Sequence, residues 1–255
     1  MRNFKDKIII ITGGASGIGL ALGKRFIAEG AVVVLSDLND KAVRTQAEAI
    51  GAVSMTTDVS IEADIKHLID QTIERFGRVD MFISNAGIAY PSDIDTITEK
   101  WEQIYAINVL AHVFAAKYVL PGMLQRGEGY LLNTASAAGL LCEFNAVTYT
   151  ATKHAAVGLA EWLALTYKSR GIKVSVLCPA GVRTPMTAGS PSLLKYGIEV
   201  EEVVDQVISA IAEERFMIST HKFVDQLFQL KGNDYEKYMS AMEIYRKEAE
   251  DLDHK

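Results

Sequence analysis

Tyr149 and Lys153 stand four residues apart in a stretch whose pattern is helical, so their side chains share one face. A phenol has a reference pKa of roughly 10, too high to trade protons readily near neutrality. A neighbouring ammonium favours the phenolate and lowers that value. The pair is therefore a workable acid/base device, although an exposed aromatic beside a solvated lysine has the same spacing. Ser136 follows a run that reads as a strand, which puts its hydroxyl at a sheet edge. Asn108 sits inside a long apolar helix, where a buried amide needs a partner.

A second group could hold a nucleotide. In Thr12-Gly13-Gly14-Ala15-Ser16-Gly17-Ile18-Gly19, the glycines at 13, 17 and 19 let the backbone turn tightly and let a pyrophosphate approach. The helix that follows offers free N–H groups and a positive dipole end. Gly19 is read as the position that lets helix and strand pack closely. Asp37 ends the next strand-like run, where a carboxylate accepts hydrogen bonds from both adenosine ribose hydroxyls and repels a 2′-phosphate. Leu38 and Asn39 add no compensating cation, so NAD is favoured over NADP. The competing reading is that Asp37 caps the following helix. Asp58-Val59 could meet the adenine ring, with the same alternative.

The elements that must position these groups alternate. Strands are predicted over 7–12, 31–36, 52–57, 79–84, 129–135, 172–177 and 216–219. Helices are predicted over 17–29, 39–50, 61–76, 98–120, 148–169 and 201–212, with Pro121-Gly122 closing the fourth. The expectation is an α/β fold: one Rossmann-like, doubly wound parallel sheet of about seven strands flanked by helices. Residues 1–221 form its body and 222–255 a helical extension of the same domain. Ligands of such a sheet lie beyond the C-terminal strand ends. The segment 187–200 reads as an irregular, mobile lid.

With these positions in hand, the chain resembles the short-chain dehydrogenase/reductase family. Thr12–Gly19, Asn85-Ala86-Gly87, Asn108, Ser136, Tyr149-Thr-Ala-Thr-Lys153 and Pro179-Ala180-Gly181 carry the resemblance, which runs from Lys5 to about Ser219. It implies that Tyr149 is the general acid or base and that Ser136 steadies the substrate oxygen. Lys153 would lower the Tyr149 pKa and hold the nicotinamide ribose, and Asn108 would position a water for proton relay. Gly13, Ser16, Gly17, Ile18, Gly19, Asp37, Asp58 and Val59 would bind the cofactor. So would Asn85, Ala86, Gly87, Pro179, Gly181, Val182 and Thr184, the last two near the carboxamide. Ser84 and Ala180 depart slightly from the family's usual Asn and Gly. The family's glycine-rich ending is replaced by the tail 222–255.

The implied reaction is NAD-dependent interconversion of a secondary alcohol and its ketone. An NAD-binding sensor or scaffold, or an epimerase or dehydratase on the same fold, are the alternatives. The loop residues expected to face the substrate are Ala89, Tyr90, Ala138, Leu140, Leu141, Phe144, Ala180 and Met186, which suit a medium-sized hydrophobic or aromatic molecule. Glu143 disfavours anions. Cys142 is read as a pocket wall and His154 as helix surface or a subunit contact. His67, His112, His154, His221 and His254 show no ligand spacing, so no metal is expected.

Composition agrees with such an enzyme. Of 255 residues, 49% are hydrophobic and 23% charged, which argues against extended disorder. The net charge of −6 gives no broad attraction to nucleic acid or anionic membrane. Met1–Lys7 lacks the apolar run of a signal peptide, and Ile107–Leu120 is read as too short and polar to span a bilayer. Two cysteines make no disulfide framework, so a cytoplasmic protein is expected. Ala115, Tyr118, Val119, Ala155, Leu159, Trp162 and Leu163 include candidates for a partner face, in a homodimer or homotetramer. In the tail, Tyr235, Tyr238, Met239, Met242 and Tyr245 form one helical stripe that should be buried, and the tail is read as covering part of the substrate side or a neighbouring subunit.

Overall fold

Four consecutive isoleucines start the sheet because β1 is covered on both faces. In the computed structural model, which describes residues 3–253, Ile9 and Ile11 pack with Leu22, Phe26 and Leu35. Ile10 points the other way, into the cluster of Ile65, Leu68 and Ala115. That alternation (period two) with no solvent face is the pattern of a doubly covered parallel strand. His254 lies outside the described residues.

The strands are β1 (Ile8–Thr12), β2 (Val32–Asp37), β3 (Val53–Thr56), β4 (Met81–Ser84), β5 (Gly129–Thr134), β6 (Ile172–Cys178) and β7 (Met217–Ser219). They form one seven-stranded sheet in the order β3-β2-β1-β4-β5-β6-β7, every pair parallel. The winding reverses between β1 and β4. The helices are α1 (Gly17–Ala28), α2 (Asp40–Ile50), α3 (Glu62–Phe76), α4 (Thr98–Tyr105), α5 (Ala111–Arg126), α6 (Val147–Tyr167), α7 (Pro191–Leu194), α8 (Val200–Glu213), α9 (Lys222–Asn233) and α10 (Tyr235–Asp253). Residues of α1, α2 and α8 cover one face of the sheet, and those of α3, α5 and α6 the other.

The fourth predicted helix does not stop at Pro121. It runs through α4, one π-helical segment at Ala106–Leu110, and α5, ending only at Gly127 with φ of 68°. Proline removes one backbone donor, but fully buried Met123 and a 2.6 Å bond from Arg126 Nη2 to the Val79 carbonyl hold the last turn. The whole run Thr98–Arg126 is long and apolar enough to cross a membrane by length and composition, contrary to the shorter stretch read from sequence. Half of its most apolar window is buried inside this protein.

The partner face needs correction too. Ala115, Val119 and Leu163 are buried in the chain's own core, whereas Trp162 is 56% exposed. The segment 187–200 is not wholly irregular: it carries the one-turn α7, started by Pro191 and capped by Ser190. Its far end is tied back by hydrogen bonds between Ile198 and the backbone of Gly181 and Arg183.

The tail folds back on its own body. Tyr238 and Met242, 2% and 4% exposed, join the core cluster of α3, α5 and α6, with Tyr245 packed against it. Tyr235 and Met239, predicted on the same stripe, face solvent instead. The buried ridge is Tyr238, Met242 and Tyr245, at i, i+4 and i+7, a narrower face than the five-residue stripe. Losing either of the two buried side chains costs about 2–5 kcal/mol.

Candidate active site

Thr12 and Asn85 sew together the two loops at the reversal point. Thr12 Oγ1 accepts from the N–H groups of Asn85 (3.0 Å) and Ala86 (3.1 Å). Asn85 Nδ2 donates to the carbonyls of Thr12 (3.0 Å) and Gly13 (3.3 Å). A Cβ at Gly13, whose φ is 65°, would sit 2.9 Å from Ala86 Cα. A Cβ at Gly19 would collide with the Gly13 carbonyl and the Asn85 amide. Gly19 therefore closes the loop on itself. The close helix-to-strand packing expected of it falls to Gly23 of α1, which presses on Leu35 of β2. Ser16 is the N-cap residue of α1 but makes no side-chain cap, leaving the first turn open toward the cavity.

At the end of β2, Asp37 Oδ2 accepts from the Ala15 N–H at 3.2 Å and Oδ1 from the Asn39 N–H at 3.1 Å. Asn39, and not Asp37, caps α2 through the Ala42 N–H. The carboxylate is thus pinned at the cavity rim beside Leu38, which is 68% exposed. Asp58 Oδ1 accepts from the N–H and hydroxyl of Ser60, at 2.9 and 2.6 Å, and lies with Val59 on the same wall.

At the other end, α6 carries Tyr149 and Lys153 side by side, the ammonium 5.5 Å from the phenol ring centre. Lys153 Nζ donates to the Thr134 carbonyl at 3.0 Å, and burial pulls its pKa down to about 8. Burial pushes the Tyr149 phenol above its ordinary value, and the nearby Glu143 carboxylate adds to that. A hydrogen bond with Ser136 pulls the other way. The net direction is upward, opposite to the lowering expected from the Lys153 partner. Ser136 starts a short turn after β5 and accepts from the Ala138 N–H at 3.1 Å. Gly87 lies against both Asn108 Oδ1 and Lys153 Nζ: a Cβ there would stand 3.2 and 3.3 Å away.

Asn108 sits in the π-helical segment, fully buried. Its amide bonds both backbone groups of Ile88 and the Thr152 hydroxyl. It supports the cavity without lining it. One cavity of about 760 Å³ runs from Asp37, past Gly13, Ser16, Gly17 and Ile18, to Ser136, Tyr149 and Lys153. Asn85, Ala86, Gly87, Pro179, Gly181, Val182 and Thr184 line it as well. No cluster of metal-ligating side chains occurs among the described residues.

A family model described as short chain dehydrogenase matches residues 7–193. The chain belongs to the short-chain dehydrogenase family. It is 34% identical to a meso-2,3-butanediol dehydrogenase of Serratia marcescens over 196 residues, 75% of this chain and 78% of that one. A levodione reductase of Leifsonia aquatica is 36% identical over 197 residues, 73% of each chain. In the crystal structure of a short chain dehydrogenase/reductase from Burkholderia phymatum in complex with NAD, the fold agrees with a TM-score of 0.86 at 28% identity. That match covers 92% of this chain and 96% of that one. The seven-stranded Rossmann-like sheet is the fold of this family.

In this short-chain dehydrogenase, Ala89, Tyr90, Ala138, Leu141, Ala180 and Met186 line the cavity as the sequence suggested. Phe144 and Leu140 do not. Phe144 packs against Tyr245, and Leu140 is buried in the core. Gly181 has a second reason to be glycine: a Cβ there would strike the Leu193 carbonyl of α7. His154, read as surface or subunit contact, instead meets the tail, with its Nε2 3.3 Å from Lys231 Nζ. Sequence reasoning missed Leu193, Tyr196, Phe223, Leu227, Met242 and Tyr245 as lining residues. Leu193 and Tyr196 lie in the segment read as a lid, and the other four in the tail read as covering part of the substrate side or a neighbour, so the sequence signalled the segments but not these side chains.

Proposed function

We propose that this enzyme is an NAD-dependent oxidoreductase interconverting a secondary alcohol and its ketone, on a medium-sized hydrophobic or aromatic substrate. The observation that carries this reading is the single cavity with Asp37 at one end and Ser136, Tyr149 and Lys153 at the other. The alcohol- and ketone-related names of the two relatives support it, as does the NAD complex of the structural neighbour.

The residues fit a dinucleotide. The open first turn of α1 and the side-chain-free loop at Gly13 and Gly17 suit a pyrophosphate, and Thr184 lies against Gly17. Asp37 would accept from the adenosine ribose hydroxyls and repel a 2′-phosphate. Bound there, the nicotinamide supplies the hydride acceptor or donor. The protein manages the proton. Tyr149 takes the hydroxyl proton of the alcohol at its phenol oxygen, or returns it to the ketone. Ser136 donates to the substrate oxygen as charge develops on it. Lys153, buried beside Tyr149, stabilises the phenolate and holds the ribose hydroxyls.

Asn108 fixes the loop at Ile88, and with it the wall next to Lys153. In the same reading, residues 1–221 are the catalytic body and 222–255 an extension of it. The segment 187–200 closes over substrate, so hydrogen exchange there slows when NADH and a ketone bind. The enzyme is a cytoplasmic homo-oligomer, for which exposed Trp162 and Leu165 offer apolar surface. Initial rates on a panel of secondary alcohols with NAD and with NADP test the whole. Absence of alcohol-dependent NADH formation across the panel defeats the proposal.

A further inference from the structure

The substrate end of the cavity is completed by residues beyond the segment that matches the family, which ends at 193. From there on, Tyr196, Phe223, Leu227, Met242 and Tyr245 line it. Three of them form a chain of rings. Tyr196 and Phe223 have centroids 5.8 Å apart, and Phe223 and Tyr245 lie 6.3 Å apart at 28°, close to parallel. Phe144 backs Tyr245 from outside the cavity at 6.1 Å.

This wall is anchored to the catalytic helix. Lys231 Nζ donates to the Leu140 carbonyl at 2.7 Å and to His154 Nε2 at 3.3 Å, while His154 Nδ1 donates to the Thr150 carbonyl at 3.0 Å. His154 adjoins Lys153, so α9 is tied one residue from the catalytic lysine. Buried Tyr238 and Met242 seat α10 from below. The wall therefore keeps a set distance from Tyr149. Glu143 also lines this cavity.

We propose that Phe223 and Tyr245 form a stacking wall that selects secondary alcohols and ketones carrying an aromatic ring. This rests on the alcohol–ketone reading of the same cavity. An aromatic side chain rewards a flat ring beyond the area it covers, by up to about tenfold in an equilibrium. A short aliphatic alcohol has no ring to stack on the wall. Lys231 acts as a positioning residue, through the wall it fastens.

The test uses the full chain with NAD and two substrates: 1-phenylethanol and 2-butanol. The parent should prefer 1-phenylethanol to 2-butanol by about tenfold or more in kcat/KM. Tyr245→Ala should shrink that ratio about tenfold, chiefly through KM, and Tyr245→Phe should preserve it. Phe223→Leu, the milder change should the alanine variant fold poorly, should shrink it in the same direction. Lys231→Met should raise KM for 1-phenylethanol more than for 2-butanol, with kcat moving little. Equal losses on both alcohols in Tyr245→Ala and Phe223→Leu, or a parent that prefers 2-butanol, overturns the wall but leaves the oxidoreductase reading standing. A parent that oxidises neither of the two, nor any alcohol of the wider panel, overturns both.

Discussion

Asn108 is bound on two sides by one residue: its Nδ2 donates to the Ile88 carbonyl and its Oδ1 accepts from the Ile88 N–H, each at 3.0 Å. The remaining amide hydrogen goes to the Thr152 hydroxyl at 3.3 Å. The side chain thus joins the π-helical segment to the loop after β4, and both amide hydrogens are used. Asn108→Ala leaves both Ile88 backbone groups without this partner. It should lower stability by about 2–4 kcal/mol, read as a shift in the urea midpoint at unchanged slope. A shift under about 0.5 kcal/mol would show that water replaces the amide without loss.

Tyr149→Phe removes the phenol oxygen and little else. Turnover should fall by about 10²–10⁴, the usual worth of general acid/base catalysis, while NADH binding followed by fluorescence is retained. Activity within tenfold or so of the parent would remove Tyr149 from the proton-transfer role.

Asp37→Ala deletes the carboxylate that faces the cavity and also the acceptor for the Ala15 and Asn39 N–H groups. The parent should use NAD in preference to NADP. The variant should lose kcat/KM with NAD and gain it with NADP, so the ratio of the two is the measurement that counts. A parent that already prefers NADP sinks the ribose assignment.

His112 predicts an acid limit. It is 1% exposed, its Nδ1 lies 3.0 Å from Asn133 Oδ1, and burial with the Lys153 charge holds its pKa down to about 3 against 6.5 for the free side chain. Between those values the unfolded chain binds the proton and the folded one does not. Stability is therefore complete above pH 6.5 and drains away as pH falls toward 3, by at most about 1.4 kcal/mol per pH unit. Urea midpoints across that window should fall less steeply in His112→Gln than in the parent. Parallel slopes would show that another group sets the acid limit.

Much of this protein was legible as a string because its signals are local. The isoleucine run of β1, the alternation of strand and helix, and the left-handed glycine after β1 each follow from the chemistry of a few neighbouring residues. The same holds for the Tyr149–Lys153 spacing, since four residues on a helix share a face whatever surrounds them. Helix ends were less legible. Pro121 reads as a stop, yet the last turn of α5 persists because Met123 and Arg126 find partners on the core and on Val79, far away in sequence.

The amino-acid order by itself determined the parallel sheet, the glycine turn after β1 and which side chains stand on the face of α6 that carries Tyr149. Only the tertiary structure decided the company those groups keep. It placed Gly19 against Gly13 and Asn85, moved Phe144 out of the cavity to the back of Tyr245, and brought Tyr196, Phe223 and Tyr245 into one wall. It also set the surroundings of Tyr149, where burial raises the pKa of the phenol. The reason is physical: periodicity and capping act within a few residues along the chain, whereas burial, desolvation and ring stacking depend on distances between segments that no spacing encodes.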